Sequence, residues 1–371
     1  MDNNFKEVIY EHLVFSGSSY EIGKLEGDFL KKQHPEEIQV LLKGNDYIKP
    51  ASQEKIKRAM KVFQKYCPQI NEEIQGMAES LGVSADSIIH YAFSYVSKGN
   101  CGHFAVLPEK TLDKHFYLGR SYEWGTDDEL RLMTIKAKGL NAHMGFSLIL
   151  LGRMDGINEQ GLCITMSNAV PLCESEEEGL RFWMVIRILL DKCKDCEEAV
   201  TLIKELPISA CCNFIIADRN NNAVLAEIHN SAKVFKYING NTEQQYLCST
   251  NHYTFEEMKE FVKNKMRQSV YRYDAMVKKL EAENKIEKSA LKELLSTNIP
   301  NGLACHYYDE WLGTLWSMLF DVSESKVQIC FGSPAVNQWY DFNLNSPDGI
   351  TKYKAVFPME KAEDSMWERI R

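Results

Sequence analysis

Hydrophobic residues recur at helical spacing through most of the first hundred residues of the chain. Ser18 and Glu21 have the spacing of a capping box, which predicts that a helix begins beside them. Three further helices are predicted in the segments ASQEKIKRAMKVFQKYC, PQINEEIQGMAESLG and SADSIIHYAFSYVS. The first hundred residues are therefore predicted to be mainly helical.

From residue 101 onward the pattern changes to short segments rich in β-branched and aromatic residues, which is typical of strands. Gly, Asp and Asn separate these segments, as they usually separate strands. The first predicted strands are HFAVLP, HFYLGRSYEW, RLMTIKAKG, MGFSLILLG and GLCITMSNA.

Two helices are predicted next, over residues 174–192 and 195–207, and they separate two blocks of strands. The second block begins with CNFIIAD, AVLAEIH and KVFKYI. A polar helix pair over about 254–296 precedes the final predicted strands, TLWSMLFDV and KVQICFGS. This segregation favours an α+β fold in layers over a βαβ array.

Composition and charge narrow the class of protein. Hydrophobic residues make up 44% and charged residues 26% of the 371 positions, as in an ordinary globular protein of one large or two smaller domains. The net charge of −9 and the lack of a basic stripe argue against nucleic acid as a partner. Without a signal peptide or a run of about 18 apolar residues, we expect a cytoplasmic protein with no membrane partner.

The eleven cysteines are mostly scattered singly, and without an export signal we expect mostly free thiols. The segment CKDC at 193–196 has redox or half-zinc spacing, but nothing completes a metal site, so packing is the favoured interpretation. The segment DRNNNAVLAEIH begins like a calcium loop, yet Ala223 and His229 stand where such a loop needs Gly and Glu. We predict a hairpin turn there, and no metal or cofactor.

Common catalytic motifs such as GxSxG, HExxH and the P-loop are absent from the sequence. A catalytic nucleophile must therefore be sought by its position in the chain. Cys101 stands at the switch from helices to strands, so a cut after Asn100 would make it an N-terminal residue. Its α-amino group, with an ordinary pKa of about 7.7–8.0, could then accept the thiol proton. A cysteine is more often a small buried hydrophobic residue, and the residues alone leave both interpretations open.

An ordered set of segments spans nearly the whole chain and resembles one known family. The segments are SSYEIGKLEG, PQINEEIQGMAESLGVS, YLGRSYEW, DGINEQGLCITMSNA, CCNFIIADRNNNAVLAEIH, STNHYT, RQSVYR and ACHYYDEWLGTLWSMLFDV...ICFGSP. The chain resembles the acyl-coenzyme A:isopenicillin N acyltransferase-like family, which is related to choloylglycine hydrolases within the N-terminal-nucleophile superfamily. The resemblance implies a four-layer αββα sandwich over 101–371, preceded by a mainly helical pro-segment or small subunit over 1–100.

The resemblance also implies that the precursor cuts itself between Asn100 and Cys101, and that Cys101 is the nucleophile. Arg120 and Glu123 in GRSYEW match the arginine and the acid of the related hydrolases' GRNxD motif, with Glu in place of Asp. Such an arginine would favour the thiolate, and the acid would hold the new amine in place.

Asn168 and Asn213 match the family's two asparagines, and one or both are expected to complete an oxyanion hole. Arg272 in SVYR matches an arginine near the nucleophile, although its charged helical surroundings also fit a side chain that faces solvent.

Three histidines are given no firm catalytic role. His103 departs from the family's usual Cys-Thr-Ser/Thr-Phe and would share a strand face with Cys101. It is interpreted as a pocket or packing residue, with proton transfer as the alternative. His252 and His306 are expected to shape the pocket or nearby loops.

The predicted function is hydrolysis of a linear amide through a thioester acyl-enzyme, with no cofactor. Acyl transfer from acyl-CoA or an amide to an amine is the alternative, because only the second nucleophile differs. The expected partner is a small-molecule acyl amide or acyl-CoA, and a homo-oligomer is left open. Two rivals remain: a papain-like enzyme with His252 or His306 as base, and an uncut binding module on the same fold.

Overall fold

The computed structural model describes residues 4–38, 52–94, 99–148, 151–169, 179–262 and 264–370. Among these residues, no helix is long and apolar enough to cross a membrane. The helices α1 to α8 are Ser19–Gln33, Gln53–Tyr66, Pro68–Leu81, Ala85–Ser94, Phe182–Lys192, Cys196–Glu205, Arg267–Ala282 and Lys288–Ser296.

The helices predicted from the sequence are present in the described part of the chain, but the polar pair predicted over about 254–296 begins later than expected. Its first α-helix starts at Arg267, after a 3₁₀ turn over Glu256–Phe261 and a short strand over Lys265–Met266. At the start of α1, the Ser18 hydroxyl accepts from the Glu21 amide and the Glu21 carboxylate accepts from the Ser18 amide. This reciprocal pair is the predicted capping box. Parts of the helices predicted over 84–97 and 174–192 lie outside the described residues.

The strands build two large sheets. The strands β1 to β19 are Phe5–Gly17, Asn100–Val106, Tyr117–Trp124, Arg131–Ala137, His143–Leu148, Gly152–Arg153, Gly156–Asn158, Cys163–Asn168, Cys211–Ala217, Ala223–His229, Ala232–Ile238, Tyr246–Ser249, Lys265–Met266, His306–Tyr307, Leu312–Asp321, Lys326–Phe331, Trp339–Phe342, Gly349–Pro358 and Arg369–Ile370. The first sheet has the order β11-β10-β9-β8-β7-β5-β4-β1-β18, with β6 beside β5. The second has the order β12-β2-β3-β15-β16-β17, with β14 beside β15.

The two sheets pack face to face, and helices cover both outer faces. Between the sheets, Phe146 stacks on Trp316 with ring centroids 3.9 Å apart. On the outer face of the second sheet, Phe104 and Val106 belong to an apolar cluster shared with α7 and α8. On the first sheet, α5 contacts β5 to β8 and α6 contacts β9. The fold is therefore the predicted α+β sandwich with four αββα layers.

Strands at the two ends of the chain are not predicted from the sequence. The expectation that KVQICFGS forms the final strand is wrong, because β17 and β18 follow it. β18 is a largely exposed edge strand, so it lacks a strong hydrophobic pattern. β1 runs antiparallel to β18 and parallel to β4. The predicted helical pro-segment thus begins with a strand that lies inside the first sheet.

The cysteines behave largely as expected. Among the described residues nine are free and buried, while Cys211 is disulfide-bonded. Cys196 donates its thiol to the carbonyl oxygens of Ile216 and Asn222, at 3.6 and 3.4 Å. The CKDC cysteines are free thiols that pack against the sheet, and the calcium-like segment forms the turn between β9 and β10.

Helices α1 and α3 cross at very close range because glycines face each other. A Cβ on Gly23 would lie 1.9 Å from the carbonyl oxygen of Glu73, and one on Gly76 would lie 2.0 Å from that of Tyr20. No side chain fits at either position, so the close crossing requires glycine.

This crossing places the Glu73 carboxylate in a buried ion pair with Arg187 of α5. Arg187 donates to the two Glu73 oxygens at 3.0 and 2.6 Å, and to Asp191 at 2.9 Å. All three side chains are buried. The N-terminal helices are therefore joined to the rest of the protein by charges within the core.

The substitution Glu73→Gln is expected to lower the free energy of unfolding by about 3 kcal/mol, because Arg187 would lose a buried countercharge. Urea unfolding followed by circular dichroism measures the change. Glu79→Gln is the matched control, since Glu79 lies on the same helix but pairs with Lys24 at the exposed surface. Equal losses of unfolding free energy in the two variants would show that the buried ion pair stabilises the fold no more than the exposed one.

Candidate active site

Cys101 lies in β2, with its side chain in the layer between the two sheets. Successive residues of a strand point to opposite faces. Cys101 and Ala105 join the apolar cluster between the sheets, whereas Phe104 and Val106 face the helices. The Cys101 side chain is fully buried.

Arg120 of β3 contacts the Cys101 sulfur. One guanidinium nitrogen lies 3.4 Å from that sulfur, and a second donates to the carbonyl oxygens of Met154 and Met166, each at 2.8 Å. The third nitrogen lies 3.1 Å from the Asp155 carboxylate. These acceptors fix the plane of the guanidinium, so a cation is held beside the Cys101 thiol.

Glu123 and Arg272 form a second buried ion pair close to Cys101. Arg272 of α7 donates to the Glu123 carboxylate at 2.7 Å, and neither side chain is exposed. The Ser121 hydroxyl also donates to Glu123. The alternative that Arg272 faces solvent is wrong, because the helix directs this side chain into the core.

Asn251 connects this ion pair to the backbone of Cys101. Its side-chain oxygen accepts from the Cys101 backbone NH at 2.9 Å and from Arg272 at 2.8 Å. Its own amide donates to the Asn168 carbonyl oxygen at 2.7 Å. Asn251 is not predicted from the sequence, although it lies in the STNHYT segment beside His252.

Asp155 and Gln268 were missed as well. Asp155 orients Arg120, and Gln268 accepts a hydrogen bond from Arg272 while donating to Asn100 at 3.0 Å. In the sequence, Asp155 precedes a glycine as a turn residue does, and Gln268 stands in a charged helical segment. Neither position carries a local signal that separates it from these ordinary roles.

The two asparagines predicted for the oxyanion hole lie in different surroundings. The Asn168 amide donates to the Gly99 carbonyl oxygen at 3.3 Å, beside the predicted cleavage site. The Asn213 amide donates to the carbonyl oxygens of Thr250 and His252, at 2.9 and 3.2 Å. Asn213 therefore stabilises the segment that carries Asn251, while Asn168 contacts the residues just before Cys101.

Burial dominates the ionisation of the site. It raises the pKa of the Cys101 thiol to about 12, although the neighbouring Arg120 guanidinium opposes the rise. Burial also raises the pKa of Glu123 to about 7, against the effect of Arg272. In the uncut chain the thiol is therefore neutral at pH 7, and its neighbouring backbone nitrogen is an amide that cannot act as a base.

The three histidines considered from the sequence bond to groups other than the Cys101 sulfur. Burial, together with nearby cations, lowers the pKa of His103 and lowers that of His252 to about 3. Both imidazoles are neutral at pH 7. The hydrogen bonds join His103 to Thr165 at 2.8 Å, His252 to Ser269 at 2.8 Å, and His306 to Glu360 and Ser333 at 3.0 and 2.9 Å.

One group of side chains away from Cys101 has metal-ligand spacing. The ligand atoms of His34, Glu36 and Glu37 lie within 4.8 Å of one another. Glu37 also forms an ion pair with Arg131, and His34 lies 2.7 Å from the Glu11 carboxylate. Because partners within the protein already occupy this group, we assign no metal to it.

The four-layer sandwich thus holds a buried cysteine, two buried arginines and a buried carboxylate close together. The family model described as acyl-coenzyme A:6-aminopenicillanic acid acyl-transferase matches residues 110–336, more than half of the chain. The chain belongs to this acyltransferase family. The matched region includes Arg120, Glu123 and Arg272 and begins after Cys101.

Three solved structures are similar to the chain at low identity. Penicillin V acylase from Agrobacterium tumefaciens is 16% identical, with a TM-score of 0.45 over 68% of this chain and 90% of that chain. A mutant conjugated bile acid hydrolase from Clostridium perfringens is 14% identical, with a TM-score of 0.43 over 71% and 99%. A Caenorhabditis elegans N-acylethanolamine-hydrolyzing acid amidase ortholog is 14% identical, with a TM-score of 0.41 over 60% and 93%. No curated protein matches the sequence.

The raised pKa of Glu123 predicts a pH-dependent stability. Its folded value of about 7 exceeds the ordinary 4.5, so the folded state holds this proton more tightly than the unfolded state does. That contribution is complete below about pH 4.5 and is lost as the pH rises through 7. Relative to a Glu123→Gln variant, the free energy of unfolding is expected to fall by about 3 kcal/mol over this window.

Urea unfolding at several pH values measures the free energy of unfolding with Glu123 and with Glu123→Gln. Both proteins also carry Cys101→Ala, which keeps the chain uncut. Glu227→Gln serves as a positive control, because burial raises the pKa of this carboxyl group as well and the variant's pH profile should differ from that of the parent in the same direction. The prediction would be contradicted if the free energy of unfolding varied with pH in the same way in the protein with Glu123 and in the Glu123→Gln variant.

Proposed function

We propose that the protein is a self-processing amidohydrolase whose nucleophile is an N-terminal Cys101. Cleavage after Asn100 would convert the buried thiol into a nucleophile that carries its own base. The substrate would be a small-molecule acyl amide in the cytoplasm. The observation that supports this most strongly is that both reacting atoms of Cys101 have dedicated partners, Arg120 at the sulfur and Asn251 at the nitrogen.

These partners suit the chemistry that each atom must perform. The guanidinium of Arg120, 3.4 Å from the sulfur, favours the thiolate over the thiol. The nitrogen of Cys101 bonds to Asn251, which also accepts from Arg272. A cation so close to the new amine would disfavour its protonated form, so the amine would stay available as a base.

In maturation, the Cys101 sulfur would attack the Asn100 carbonyl carbon. The carbon–sulfur bond forms as the carbon–nitrogen bond breaks, and the thiol proton passes to the released nitrogen. Water then hydrolyses the thioester, which leaves Asn100 with a carboxylate and Cys101 with a free thiol and amine. The protein needs no cofactor for this sequence of steps.

In turnover, the amine would take the thiol proton and then give it to the leaving amine of the substrate. The Asn168 amide, with a backbone NH, is the proposed donor to the oxyanion, a contribution of about 2.7–4 kcal/mol in comparable sites. Asn213 would act by positioning the segment of Asn251. Glu123 would hold Arg272, and through it the amine.

The N-terminal segment is proposed to stay bound after cleavage as a small subunit of residues 1–100. β1 lies between β4 and β18 in the first sheet, and Glu73 pairs with the buried Arg187. Departure of this segment would open the sheet and leave a buried cation without one of its carboxylates.

The two rival functions receive less support. A papain-like mechanism needs an imidazole beside the sulfur, yet His252 and His306 bond to Ser269 and to Glu360 with Ser333. A binding module has no need for a cation held against a cysteine, nor for an acceptor held on the cysteine nitrogen.

Self-cleavage is expected in the purified protein near neutral pH. Intact mass spectrometry should show fragments 1–100 and 101–371 for the wild type and an uncut chain for Cys101→Ala. Cys163→Ala, which alters another fully buried thiol, should cleave like the wild type. Size-exclusion chromatography of the cleaved protein should show that both fragments elute together.

An uncut wild-type chain that still hydrolyses amides would favour the rival with an internal cysteine. An uncut and inactive chain would favour the binding module. Fragments that separate without denaturant would contradict the proposed small subunit.

Hydrolysis and acyl transfer use the same residues, so the products must decide between them. With an amide substrate alone, we expect free acid to form in amounts equal to the released amine. Adding a millimolar amine acceptor should divert less than half of the acyl groups, because water is always present at the thioester. Predominant formation of the new amide, measured by liquid chromatography and mass spectrometry, would identify an acyltransferase instead.

A further inference from the structure

The side chain of Asn100 is held at both ends of its carboxamide. Its oxygen accepts from the Gln268 side-chain amide at 3.0 Å, and its nitrogen donates to the Trp311 carbonyl oxygen at 3.1 Å. Gln268 is 1% exposed, and its own oxygen accepts from Arg272. That bond orients the Gln268 NH₂ group toward Asn100, so the surroundings distinguish a carboxamide from an apolar group of the same shape.

The preceding residue, Gly99, is buried against the ring of Tyr122. A Cβ on Gly99 would lie 2.4 Å from a ring carbon, so no side chain fits at this position. The Gly99 carbonyl oxygen accepts from the Asn168 amide at 3.3 Å. This position therefore suits a glycyl unit with a free carbonyl acceptor.

Maturation and turnover would place acyl groups on the same sulfur. In maturation the carbonyl carbon of Asn100 bonds to the Cys101 sulfur, while in turnover the substrate carbonyl carbon does so and its bond to the leaving amine breaks. Both thioester oxygens need the same NH donors. Both acyl groups must therefore extend from the sulfur into the space that Gly99 and Asn100 occupy in the uncut chain.

From these contacts we infer that the acyl site accepts peptide-like acyl amides in which a carboxamide-bearing unit follows a glycyl unit. The acyl group of the substrate resembles residues 99–100 of the enzyme itself. Gln268 and Trp311 would form hydrogen bonds with its carboxamide, and Tyr122 would exclude a side chain on the preceding unit. This inference rests on the proposed function, because it assumes a thioester at Cys101.

Four p-nitroanilides test the inference with the mature wild-type enzyme. They carry N-acetyl-glycyl-asparaginyl, N-acetyl-glycyl-leucyl, N-acetyl-alanyl-asparaginyl and octanoyl groups. Leucine has the shape of asparagine without its hydrogen bonds. We expect kcat/KM for glycyl-asparaginyl to exceed that for each of the other three by at least about tenfold, equivalent to about 1.4 kcal/mol.

The variant Gln268→Met separates the two contacts. In this variant, kcat/KM for the asparaginyl substrate should be close to kcat/KM for the leucyl substrate. The ratio of kcat/KM between the glycyl and alanyl substrates should stay as in the wild type. Gln328→Met is the matched control, because Gln328 bonds to Asp341 at the surface, and both ratios should be unchanged in it. If Gln268→Met fails to mature, the wild-type ratios alone decide the matter.

Each outcome supports or overturns the inference. A wild-type enzyme that cleaves the octanoyl substrate best, or that treats asparaginyl and leucyl alike, overturns it while the proposed function stands, provided Cys101→Ala is inactive. A protein that neither cuts itself nor releases p-nitroaniline from any of the four overturns the proposed function, and the inference with it.

Discussion

Arg120 is the side chain on which both the sandwich and the site depend. A fully buried guanidinium is stable only when its donors meet acceptors, since it has left water entirely. The acceptors come from the opposite sheet, at Met154, Met166 and Asp155, so the side chain joins the two sheets. One of its nitrogens also lies 3.4 Å from the Cys101 sulfur, so the packing of the sandwich itself holds a cation against the thiol.

Two further buried ion pairs hold the outer helices to this core. Arg272 with Glu123 joins α7 to β3, and Arg187 with Glu73 joins α3 to α5. A buried cation whose carboxylate moves away loses most of its compensation for desolvation. The helices are therefore held in fixed positions by charge as well as by apolar contact, and the N-terminal segment shares one core with the site.

In the proposed mechanism, two features of the uncut chain would prevent turnover of a substrate. The thiol has a pKa of about 12, and its neighbouring nitrogen is an amide, so no base stands beside it. In addition, Gly99 and Asn100 fill the space that an acyl group would need. One cleavage would remove both obstacles, because it creates the amine and frees the end of the leader.

The local features could be predicted from the sequence: the capping box of Ser18 and Glu21, the alternation that sets Cys101 and His103 on one strand face, and the layered fold. Such patterns arise from neighbours along the chain. The contact of Cys101 with Asn251 joins residues 150 positions apart, and the place of β1 between β4 and β18 joins both ends of the chain. Only the tertiary structure decided these, because sheet pairing and the partners of buried charges depend on which distant segments meet.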